Sequence, residues 1–77
     1  MNTENLLKRI TINPKVMVGK PTIRGMRITM EQILRALECG VTVNELLQDY
    51  PELELEDIQA LFAYAVNLVY KEKVFQL

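Results

Sequence analysis

Apolar residues recur at helical spacing through residues 30–50 and again beyond 55, whereas residues 10–28 hold only short β-branched bursts broken by glycine and proline. Met30, Ile33, Leu34 and Leu37 stand at i, i+3, i+4 and i+7, which marks one face of an amphipathic helix. Thr29 with Gln32 three residues on predicts a capping box at its start, and Gly40 a left-handed stop at its end. Val43, Leu46, Leu47 and Tyr50 repeat the pattern behind a second box, Thr42 with Glu45. Pro51 ends that helix, because the residue before a proline is pushed out of the helical region. A third helix is predicted from Leu55 to Lys73, with Ile58, Leu61, Phe62, Ala65 and Val69 as its core stripe. Glu56 and Asp57 at its start, and Lys71 and Lys73 at its end, agree with the helix dipole.

The first third reads differently. "ITI" at 10–12 is a strand candidate closed by the turn signal Asn13-Pro14, and "VMV" at 16–18 is another closed by Gly19. "TIRGMRI" reads as two very short strands hinged at Gly25, with Ile23 and Ile28 inward and Arg24 and Arg27 outward. In "ALECGVTVNEL" a small Ala36 precedes the turn glycine Gly40 by four residues, which is the shape of a helix-turn-helix. The fold expected is therefore mainly α: a three-helix, helix-turn-helix bundle with a small N-terminal β-strand or hairpin segment. It forms a single domain over residues 1–77, a basic arm (1–28) followed by the three-helix part (29–77).

A domain of 77 residues has a marginal core unless something else helps. Cys39 is the only cysteine, so no disulfide closes within the chain, and the absence of histidine removes any plausible zinc site. No metal or cofactor is expected, and the composition suits a reducing cytoplasm. The opening MNTENLLKRI has neither a long apolar run nor a cleavage signal, which predicts no secretion and no membrane insertion. The third helix is apolar around more than one side, since Ala60, Ala63, Tyr64, Val66 and Leu68 widen its stripe. That surplus predicts a homodimer burying Tyr64 and Leu68 together with Val74, Phe75 and Leu77 of the tail.

Charge is split along the chain. Residues 1–35 carry seven cations against two carboxylates, and residues 36–77 two against eight. The helix after Gly40 offers Asn44, Glu45, Gln48 and Asp49 and no cation, so it is a poor reader of a DNA groove. The basic stretch is the better candidate for nucleic acid, with Lys15, Lys20, Arg24 and Arg27 on and around a small β-element. The same arginines are equally suited to salt bridges with the acidic half, within one chain or across a dimer. Catalysis finds little support: the chain has no serine and no histidine, and no phosphate-binding or dinucleotide fingerprint. The run Glu52, Glu54, Glu56, Asp57 reads as solvated charge at a helix start, and Cys39 as a small filler.

Residues 10–65 also resemble the DUF433 family of small bacterial and archaeal domains. The likeness lies in an Ile…Pro run, Gly19-Lys20-Pro21, then Ile23, Gly25, Arg27 and Ile28, the turn glycine Gly40, and Tyr50-Pro51 and Leu53 before Asp57-Ile58. The resemblance implies a homeodomain-like three-helix fold and a non-enzymatic role as an antitoxin beside a PIN-like ribonuclease toxin. Operator DNA is a further candidate partner, and a plain protein-interaction or dimerisation module the alternative. At Glu54 the chain departs from the family's usual threonine, which leaves the start of the last helix with a poorer cap.

Overall fold

The computed structural model describes residues 2–72. The elements run α1 (Thr3–Leu7), β1 (Ile10–Thr11), β2 (Thr22–Ile23), α2 (Met30–Glu38), α3 (Val43–Asp49) and α4 (Leu55–Glu72). The chain is thus mainly α with a two-stranded antiparallel sheet near its start. Helix α1 is an addition to the sequence expectation. Five residues are too few to show a period, but Asn2 caps them by accepting the Asn5 N–H at 2.9 Å, and the turn lies against α4.

Strand β1 pairs with β2 in the register Ile10↔Ile23 and Thr11↔Thr22. The strand expected at 16–18 is not there: Met17–Gly19 form a tight 3-10 turn with φ of 50°, 56° and 78°. The reason is local. The Asn13 side chain accepts the Lys15 N–H at 2.9 Å, and the Asn13 carbonyl accepts the Val16 N–H at 2.9 Å, so the chain is already turning before it reaches Met17. The hinge at Gly25 is present. Arg24 and Gly25 both have positive φ (46° and 73°), and the Met26 N–H donates to the Ile23 carbonyl at 2.8 Å, as a type I′ turn requires. The return strand shrinks to an Ile23 N–H to Ile28 carbonyl bond of 3.0 Å and a single bridge, Thr22↔Thr29. Ile23 is fully buried and Ile28 packs against the core from its edge.

Thr29 caps α2 by accepting the Gln32 N–H at 3.0 Å, but the expected box is only half made. The Gln32 amide turns away and donates to the Tyr50 hydroxyl at 2.8 Å, tying α2 to the end of α3. At the other end of α2 the Gly40 N–H reaches the Leu37 carbonyl and the Val41 N–H the Ala36 carbonyl, both at 3.0 Å, with Gly40 at φ 95°. This is a Schellman stop, and it sets the angle between α2 and α3. The Thr42–Glu45 box at the head of α3 is complete. Each major element then contributes to one core: Ile23 from β2, Met30 and Ile33 from α2, Leu46 from α3, Leu53 from the connection, and Ile58 and Leu61 from α4.

Candidate functional site

Asp57 sits in the first turn of α4 with no exposed surface, and its carboxylate gathers the N-terminal arm. One oxygen, Oδ1, accepts from Arg9 Nη1 at 3.0 Å and from Arg24 Nε at 3.0 Å. The other, Oδ2, accepts from Arg24 Nη2 at 2.9 Å and from the Glu54 N–H at 2.9 Å. A carboxylate has about four acceptor sites, and all are filled here. Arg24 also donates to the Glu52 carbonyl at 2.7 Å, and Arg9 to Glu54 Oε1 at 2.7 Å. Burial pushes the Asp57 carboxyl up, but the hydrogen bonds from Arg24, the Glu54 N–H and Arg9 outweigh it and hold the group below its ordinary value.

This hub also answers the capping question at Glu54. That residue cannot cap with its own side chain, yet its backbone N–H is taken by Asp57 three residues on, and the Asp57 N–H returns to the Glu54 carbonyl at 2.9 Å. The start of α4 is therefore held by the N3 carboxylate and by an arginine from the turn. Nothing in the local sequence pattern signals the hub. Arg9 and Arg24 lie 48 and 33 residues before their acceptor; Arg9 reads as an ordinary surface cation, and Arg24 takes the salt bridge to the acidic half that its sequence reading left open beside a phosphate grip.

Three of the four cations of the basic stretch border one groove, and the fourth, Arg24, is turned to Asp57 instead. Arg24 is committed to Asp57, and Lys20 pairs with Glu31 at 3.2 Å, where Arg35 also reaches the same carboxylate at 3.0 Å. Arg35 and Lys20 together hold the Glu31 carboxyl below its usual range. Lys15 and Arg27 make no ion pair among the described residues, and with Pro14, Val18 and the Lys20 side chain they border one open groove. Val18 stands at the rim of this groove, 92% exposed and in the left-handed region.

Helix α4 has two unlike apolar sides beyond its core contacts. Tyr64 is half-buried against the core, and with Leu68, Asn67 and Lys71 it borders a small cleft closed by Leu7 of α1. Part of the surplus apolar surface read from the sequence is thus covered by α1. The other side turns away from the buried Asp57, Ala60 and Leu61 and carries Leu55, Phe62, Val66 and Tyr70, each at least half exposed. Val74, Phe75 and Leu77 lie outside the described residues.

A family model described as "Protein of unknown function (DUF433)" matches residues 10–65. The chain belongs to the DUF433 family. A crystal structure of a DUF433 member from Anabaena variabilis superposes with a TM-score of 0.75 at 33% identity, covering 83% of this chain and 63% of that one. An uncharacterized protein of Sinorhizobium fredii, y4eO, is 29% identical over 56 residues, which are 73% of this chain and 25% of that protein. The chain therefore spans only part of the length of either relative. Within this DUF433 domain the motif residues now have physical roles. Ile23, Leu53 and Ile58 are core, Gly25 and Gly40 make left-handed turns, Tyr50 receives Gln32, and Asp57 latches the arm. No described helix is long and apolar enough to cross a membrane.

Proposed function

We propose that this DUF433 domain is a non-enzymatic, antitoxin-like regulator that works by binding proteins, with a PIN-like ribonuclease toxin as its target. The observation that carries the reading is the outward face of α4. A surface helix ordinarily turns charged residues to water, and this one turns Leu55, Phe62, Val66 and Tyr70 outward instead. Two of the four carboxylates in the run at 52–57 are engaged otherwise: Asp57 is saturated by arginines and a backbone N–H, and Glu54 is paired with Arg9. The test is co-expression with a PIN-like ribonuclease. The wild-type chain restores growth and co-purifies with the toxin, and Phe62→Glu or Val66→Glu abolishes both. An unaffected ribonuclease in the presence of the wild-type chain overturns the antitoxin reading and leaves a plain protein-interaction module.

Operator DNA enters this proposal through Lys15 and Arg27, the two cations of the stretch without an ion-pair partner among the described residues. Phosphates attract such groups without reading sequence, which suits a weak accessory grip.

A further inference from the structure

The turn at Met17–Gly19 has a conformation that packing does not account for. Met17, Val18 and Gly19 all lie in the left-handed region, and Val18 is β-branched and 92% exposed. A branched side chain is strained there, and Val18 gains no burial in return. The turn is nonetheless closely held. Asn13 accepts the Lys15 N–H on its side chain and the Val16 N–H on its carbonyl. The Gly19 and Lys20 N–H groups then return to the Val16 and Met17 carbonyls, both at 3.1 Å. So fixed, the turn brings Val18, Lys15 and Lys20 to one open groove, which Arg27 borders together with Pro14 and Met17. All three cations are exposed, and neither a carboxylate nor an aromatic ring lines the groove.

Lys15 and Arg27 have no ion-pair partner among the described residues. Lys20 has an exchangeable one. Its Nζ lies 3.2 Å from Glu31 Oε1, with both side chains about half exposed. A pair so open to water is weakly held. Arg35, one turn along α2, donates to the other oxygen of the same carboxylate at 3.0 Å. When Lys20 leaves, Arg35 still neutralises Glu31, and no charge is orphaned.

The kind of anion follows from what would draw Lys20 away. A carboxylate on another protein offers it nothing that Glu31 does not already offer within the chain. A nucleic-acid backbone does, because its closely spaced phosphates hold condensed counterions that are released as cations replace them. The groove has no ring on which an unpaired base could stack, which favours a duplex over a single strand. We infer that this turn and Arg27 grip the phosphodiester backbone of a duplex through three cations, with Lys20 passing from Glu31 to phosphate and Val18 lying against the sugars between. The inference rests on the nucleic-acid reading of Lys15 and Arg27, and adds to it a third contact, its release from Glu31, and the apolar contact of Val18.

Fluorescence anisotropy of the full chain with a labelled DNA duplex of mixed sequence, titrated with salt, tests it. Three phosphate contacts give a slope of log affinity against log salt of about −2.7, and Lys20→Ala brings it to about −1.8. Glu31→Gln strengthens binding about two- to fivefold, the reach of an exposed ion pair, and the gain disappears in the Lys20→Ala background. Val18→Asn, which accepts left-handed backbone, keeps or raises the melting temperature and weakens binding about threefold. No binding to the duplex at low salt overturns both this inference and the nucleic-acid reading beneath it. A slope that Lys20→Ala leaves unchanged overturns the third contact alone and leaves Lys15 and Arg27 in place. A Glu31→Gln gain that persists without Lys20 belongs to Arg35 or to overall charge, and overturns the exchange. Tighter binding of a single strand, or equal binding of polyglutamate, overturns the duplex backbone as the ligand. Wild-type affinity in Val18→Asn overturns the sugar contact.

Discussion

Removing the Asp57 carboxylate is the sharpest test of how this domain is held together. Asp57→Ala deletes the acceptor of four hydrogen bonds at 2.9–3.0 Å and leaves two guanidinium groups and the Glu54 N–H without it. Breaking a buried ion pair on one side typically costs about 3–5 kcal/mol, because the surviving charge keeps its desolvation and loses its partner. Arg9 and Arg24 are 21% and 35% exposed, so water reaches both once the carboxylate is gone. Arg9 also keeps Glu54. The expected loss is therefore at the low end, about 3 kcal/mol. A 77-residue domain has roughly 4–12 kcal/mol in total. The variant should melt roughly 12–24 °C below wild type, given about 4–8 °C per kcal/mol at this size.

Urea denaturation of wild type, Asp57→Ala, Arg24→Met and the double variant reads the effect and its origin. Because much of the loss in each single variant comes from an orphaned charge, the double variant should be more stable than the sum of the singles implies, by at least about 1 kcal/mol. A single-variant loss below about 1 kcal/mol, or a strictly additive cycle, would refute the hub as a structural latch. In that case Arg24 would return as a free cation available to a ligand.

Three further outcomes follow from the same geometry. The Asp57 carboxyl is held below its ordinary value, so the folded state binds fewer protons, and the stability this supplies is present above about pH 4 and lost as pH falls through the folded value; acid melts of Asp57→Asn should be flatter below about pH 4 than those of wild type. Thr42→Ala removes a complete capping box and should cost about 1 kcal/mol in urea melts, more than Gln32→Ala, which costs α2 only its link to Tyr50. If DNA is bound, Lys15→Ala with Arg27→Ala should flatten the slope of log affinity against log salt by up to roughly 1.8, while Arg24→Met lowers the melting temperature and leaves that slope alone.

The helices were legible because their signals are local. Thr29 and Thr42 mark starts, Gly40 and Pro51 mark stops, and Ile33, Leu46, Ile58 and Leu61 fall at helical spacing inside those bounds and are all buried. The N-terminal arm was legible only where hydrogen bonds run between near neighbours. The Gly25 turn was of that kind; "VMV" is closed by near-neighbour bonds too, but its β-branched composition read as a strand, and such a run becomes one only when an edge is available to pair with it. Helix α1 escaped for a related reason: its stability comes from docking on α4, and its five residues hold no period of their own.

The basic stretch shows where sequence reasoning reaches its limit. Composition places Lys20, Arg24 and Arg27 together, and nothing in their spacing separates a phosphate grip from a structural pair. The separation comes from a carboxylate 33 residues away, which the fold carries to the back of the type I′ turn. Arg24 holds φ 46° as the first corner residue of that turn, a strained conformation for a side-chain-bearing residue, and its bidentate contact with Asp57 works against that cost. The turn is therefore built to hold Arg24 against α4 rather than to present it to solvent. With the arm locked on one side of α4 and α1 on another, the third side is the one that the domain leaves uncovered. A small domain thus stabilises the start of its longest helix with two distant arginines and leaves Leu55, Phe62, Val66 and Tyr70 exposed on the outer face of that helix.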